Sequence, residues 1–121
     1  MFRLGIIEES LEHTGTLDLV RPYFFSQRVE HVPEDECPVW HTNEYRVPDG
    51  KIMEVLDVLK DEVKPTWYIH AFSDSRLFVV LRGRCFAVSP HRDKTWDDMI
   101  EYGVKTAEVE RRFLENVPLH V

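Results

Sequence analysis

Glycine is scarce, with five in 121 residues. No G-x-G-x-x-G, G-x-x-x-x-G-K-[ST] or G-x-S-x-G run occurs. A glycine-rich phosphate cradle and a nucleophile elbow are therefore excluded as readings. C-x-x-C and H-E-x-x-H are also missing. The longest aliphatic-aromatic run is Leu77 to Leu81, far short of the ~20 residues that a spanning helix needs. There are two cysteines, Cys37 and Cys85. With the start MFRLGIIEES lacking an apolar leader and turning acidic at Glu8, they read as free thiols in a cytoplasmic protein.

What is present fits one soluble domain spanning 1–121. Hydrophobic residues make up 43% and charged residues 31%. A chain of this size is expected to fold to a surface of roughly 6,800 Å², about a third of its open-chain area, which leaves room for a self-sufficient core. The net charge is −7, from 15 Lys+Arg against 22 Asp+Glu. Nucleic acid and anionic membranes repel such a chain as a whole. The charge is uneven. Residues 1–36 carry Arg3, Arg21 and Arg28 against eight acids, whereas Arg76, Arg82, Arg84, Arg92 and Lys94 meet only Asp93 within 76–94.

Periodicity predicts an α+β domain in the order β-β-β-α-β-β-β-α-α. The sheet is mainly antiparallel, with five or six strands and helices segregated against it. Strands are expected at Phe2–Glu8, Val20–Val32 and Val39–Val47. The second starts at or lies on an edge, because Pro22 cannot donate to a ladder. His31 to Pro38 reads as an acidic loop. Ile52, Leu56, Leu59 and Val63 mark a helix of about three and a half turns, capped by Asp49 and ended by Pro65. Thr66–Phe72, Leu77–Leu81 and Arg84–Val88 form a meander whose second turn is Arg82-Gly83, with glycine supplying positive φ. Its first strand, apolar on both faces, belongs in the middle of the sheet. Thr95 is expected to cap a helix from Trp96 that stops at Gly103. Thr106 is expected to cap a last one over 107–115, burying Val109 and Phe113, with Leu114 as a further candidate.

Three groupings invite a chemical reading. His70 sits mid-strand among aromatics; with His41, Trp40, Trp67 and Tyr68 it would make a ligand pocket if the strands bring them together. Read alone, His70 is a core histidine bonded to a neighbour. Arg82, Arg84, Arg92 and Lys94 offer anion contacts, yet two flank a turn and two follow the far end of a strand, so they do not make one patch. Cys37 and His41, with Cys85, His91 or His70, have the ligand types for zinc, but the spacing fits no common pattern, and we expect no metal and no cofactor. Cys37 as a nucleophile is disfavoured by Glu34, Asp35 and Glu36 beside it.

With no catalytic constellation, the sequence reads as a binding domain for another protein or its own copy, with membrane excluded as a partner and nucleic acid disfavoured by the net charge. The alternatives are a small-ligand protein or enzyme with a pocket at His70, and an inhibitor or immunity-type protein whose acidic loop fills a basic site.

Overall fold

The computed structural model describes the whole chain, Met1–Val121. Its surface is 6881 Å², in line with the size expectation. The fold is α+β, built on a six-stranded antiparallel sheet in the order β2-β3-β1-β4-β5-β6. The strands are β1 (Phe2–Ile7), β2 (Phe24–His31), β3 (Val39–Val47), β4 (Ile69–Phe72), β5 (Leu77–Leu81) and β6 (Arg84–Val88). The helices are α1 (Ile52–Leu59), α2 (Thr95–Lys105) and α3 (Arg111–Leu114). Short 3-10 turns link β1 to β2.

Alternation decides the layers. In β1, Phe2, Leu4 and Ile6 point to one face, where they join Tyr45 and Val47 of β3, Ile69 and Ala71 of β4, and Ile52, Val55, Leu56 and Leu59 of α1 in one core cluster. The other face holds a second cluster: Phe72, Leu77, Val79, Leu81, Phe86 and Val88 under Trp96, Met99 and Ile100 of α2 and Leu114 of α3. That second layer covers only β4 to β6. Over β1 and β3 the same face carries Arg3, Glu44, Arg46 and Thr42, the residues in register beside it.

The meander forms as expected, and β4 is central. Leu81 faces Arg84 across the two-residue turn, and Gly83 takes φ +90°. Several boundaries differ from the periodicity. β2 begins at Phe24 rather than Val20, because Pro22 sits in a 3-10 turn over Arg21–Tyr23, a place that suits its fixed φ and missing donor. β4 starts at Ile69, after Thr66 turns the chain with φ +75°. α1 ends at Leu59; Val63 stays buried by bridging to Leu11 in extended form. Asp49 does not cap α1. Lys51 holds the cap position without a side-chain bond, and Asp49 pairs instead with the Met1 amino group. Thr95 lies inside α2 rather than capping it; its hydroxyl accepts the Ser89 N–H at 2.8 Å. Gly103 does not stop α2, which runs on to Lys105. Its hydrogen is needed for space, since a Cβ there would collide with Leu114 Cδ1. The last helix shrinks to four residues. Ala107 lies in a bend, its carbonyl accepting the Thr66 N–H at 2.8 Å, Glu108 turns the chain with φ +60°, and Phe113 is 44% exposed while Leu114 fills the core.

Candidate functional site

His70 occupies a row across three strands. Gly5 of β1 stands between Glu44 of β3 and His70 of β4. A Cβ on residue 5 would come 2.8 Å from His70 Cε1, so glycine lets the imidazole lie over β1. His70 stacks on Phe72 with centroids 5.6 Å apart and meets Tyr68 edge-on at 6.1 Å. Its Nε2 donates to the His120 carbonyl at 2.9 Å. Burial pushes the imidazole down to about 4 and the Tyr68 phenol up to about 12. Both are neutral near pH 7.

His41 lies elsewhere. β1 separates its strand from β4, and it stands three positions, an odd step, from Glu44, so it faces the opposite side of the sheet from His70. There Glu9 accepts both the His41 backbone N–H at 2.7 Å and Nδ1 at 2.6 Å. The hydrogen bond to Glu9 raises the imidazole above its ordinary value. On Glu9, burial acts upward, but the two bonds from His41 prevail and hold its carboxyl low. Trp40 and Trp67 meet edge-on at 5.2 Å, and Trp40 Nε1 donates to the Cys37 carbonyl at 2.8 Å. The structure therefore brings Tyr68 to His70 and Trp40 to Trp67, and sets His41 apart from His70.

The four basic residues also divide, between the two ends of β6. Arg82 donates to the Val63 carbonyl at 3.3 Å; Arg84 lies 4.5 Å from the Phe86 ring centroid. Arg92 binds Glu115 through its carboxylate and carbonyl, both at 3.2 Å, and Lys94 precedes α2.

Sequence reasoning missed a groove of about 550 Å³ between α1 and the β5–β6 turn, lined by Met53, Asp57, Lys60, Gly83, Arg84 and Cys85 among others. Burial pushes the Cys85 thiol up to about 11, which leaves it inert as a nucleophile. No group of three or more His, Cys, Asp or Glu side chains gathers to hold a metal ion.

It also missed how bare β2 is. Seven of its eight residues are exposed, including Phe24 at 52%, Phe25 at 56% and Val29 at 50%. The phase of its ladder follows from two bonds. The Val32 N–H donates to the Pro38 carbonyl at 2.8 Å, so in the register that pairs Arg28 with Thr42 and Glu30 with Trp40 those even-numbered residues bond inward to β3. The His41 N–H, opposite Val29, turns away from β2 to Glu9. Gln27, Val29 and His31 hence point their N–H and C=O groups outward, unpaired. A bulge between Phe24 and Ser26 marks one end of this stretch. Arg28 pairs with Glu30 at 3.0 Å along the strand, and Glu30 accepts from the Thr42 hydroxyl at 2.8 Å.

No helix is long and apolar enough to cross a membrane. Comparison of the chain with protein-family models, with curated proteins and with solved structures finds no match.

Proposed function

We propose that this is a protein-interaction domain that accepts an extended segment of a partner alongside β2. One observation carries the reading: an eight-residue edge strand whose Gln27, Val29 and His31 present free backbone donors and acceptors, with Val29 itself and the preceding Phe24 and Phe25 half-exposed. An open edge of this kind templates another strand, and strand addition draws affinity from main-chain bonds and specificity from alternate side chains. The free thiols Cys37 and Cys85 support a reducing, cytoplasmic setting.

The test is a displayed library of random extended peptides selected on the folded chain. Val29→Pro removes an outward donor and leaves the bonds to β3 in place. It should weaken the selected peptides by at least about tenfold, as loss of main-chain pairing implies. Ala87→Pro, on the opposite edge strand, should not. Peptides that bind the Val29→Pro chain as well as the wild type would place the interaction elsewhere and defeat the proposal.

A further inference from the structure

We infer that the segment β2 accepts is β2 of a second copy, paired antiparallel about a twofold axis through Val29; this rests on the strand-addition reading above.

The register follows from geometry. Two copies that extend one sheet across a twofold keep each face continuous. Opposed residues must then point to the same face, and in a regular strand that means numbers of equal parity. The axis therefore passes through a residue and its own copy. An axis at Arg28 or Glu30 sets like charges directly across from each other, which is destabilising. An axis at Gln27 carries the pairing into the bulge at Phe25. An axis at Val29 places Arg28 across from Glu30 of the second copy, and Glu30 across from its Arg28. Gln27 then meets His31, and Val29 meets itself.

The backbone agrees with this choice. Gln27, Val29 and His31 are the residues whose N–H and C=O groups point outward. Each finds an outward-pointing residue opposite it, and about six new main-chain bonds form in an antiparallel ladder. The Arg28–Glu30 pairs fall at the narrow positions, where Cα atoms approach to about 4.5 Å and side chains meet most closely. The two charges already lie together on one face of each chain, 3.0 Å apart, so the dimer closes a four-charge ring. Pro33 and the bulge at the other end of β2 bound the pairing to the stretch 26–32. A ladder of this length makes a small interface, under about 1,200 Å², and the expected dimer is a weak, reversible one.

The experiment is sedimentation of the full chain from about 1 µM to 1 mM, with thermal unfolding of each variant to show that it folds. The wild type should dimerise within that range. Val29→Pro, Arg28→Glu and Glu30→Arg should each weaken the dimer by at least about tenfold, because every change acts twice across the axis. An equimolar mixture of the Arg28→Glu and Glu30→Arg chains should recover wild-type affinity to within about threefold, since each then presents the charge the other lacks. A wild type that stays monomeric throughout overturns the inference, as does a dimer that survives both charge reversals or a mixture that fails to recover. If the wild type is monomeric but peptides still bind β2 in a manner sensitive to Val29→Pro, self-pairing fails and the strand-addition reading stands. If neither binds, both fall.

Discussion

The two edges of the sheet are built differently. β6 is five residues long, and Phe86 and Val88 are buried under α2. Arg84 folds back over Phe86, and the chain leaves the sheet at Ser89, whose carbonyl is tied to Trp96 Nε1 at 2.8 Å. β2 is eight residues long, belongs to neither core cluster, and carries no lysine. Edges are normally blunted by shortness, bulges, charges or cover. β6 uses two of these, and β2 leaves its central stretch with none except a charge pair that is self-complementary. One edge closes the fold, while the other is left open.

The largest effect expected from this contrast is in the covered half. Leu81 is fully buried, and Leu81→Ala should cost about 2–5 kcal/mol, whereas Val29→Ala should stay within about ±0.5 kcal/mol. Urea unfolding of both variants measures the contrast directly, and equal losses would erase it.

His70 stands at the seam where α2 and α3 cease to cover the sheet, and it sharpens the comparison through pH. Its folded value of about 4 lies below its ordinary 6.5, so acid protonates the unfolded chain first. Stability is then lost as pH falls from about 6.5 to about 4, by up to about 3 kcal/mol, with no further loss from this group below. His70→Gln should flatten that slope. Urea midpoints at about pH 7 and about pH 4.5 for both chains test it; parallel slopes would show that His70 is not the source.

At the closed edge, Gly83→Val meets a positive φ of +90° and a Cβ only 2.9 Å from Tyr102 Oη. It should destabilise by more than about 1 kcal/mol, and a wild-type melting midpoint would contradict this. The smallest effect is expected beside the open edge. Glu34, Asp35 and Glu36 sit in the exposed loop after β2, and replacing all three with Ser should leave stability within about ±0.5 kcal/mol in the same thermal assay.

What could be read from the sequence was whatever depends on neighbours along the chain. The meander was visible because Leu77 to Leu81 and Arg84 to Val88 flank a glycine turn. β3 was visible from its alternation. The central place of β4 followed from its two apolar faces. Gly103 misled because a glycine needed for close packing against Leu114 looks like one needed for a left-handed turn. The positive φ falls instead at Glu108, a residue type that gives no such signal. The last helix was read too long because the apolar spacing of Val109 and Phe113 does not reveal that Thr66 claims the Ala107 carbonyl. At the candidate site, His70 was singled out by its surroundings in sequence. Its separation from His41 was invisible, because it depends on β1 inserting between their strands. Pro22 pointed to an edge as one of two places for the second strand, and β2 is an edge strand; how bare its two faces are was invisible, because alternation marks a strand but does not say what covers it.

That insertion has a temporal consequence. β1 pairs on one side with Thr42 to Val47 and on the other with His70 to Phe72. Although β1 is synthesised first, both of its partners come later. At roughly 5–20 residues per second, the ribosome takes on the order of several seconds to reach β4 after finishing β1. During that time Phe2, Leu4 and Ile6 have no completed sheet to join. The meander can close on its own short loops, but the two halves of the sheet become one only when β1 threads between them, and we expect that docking to be the late step of folding.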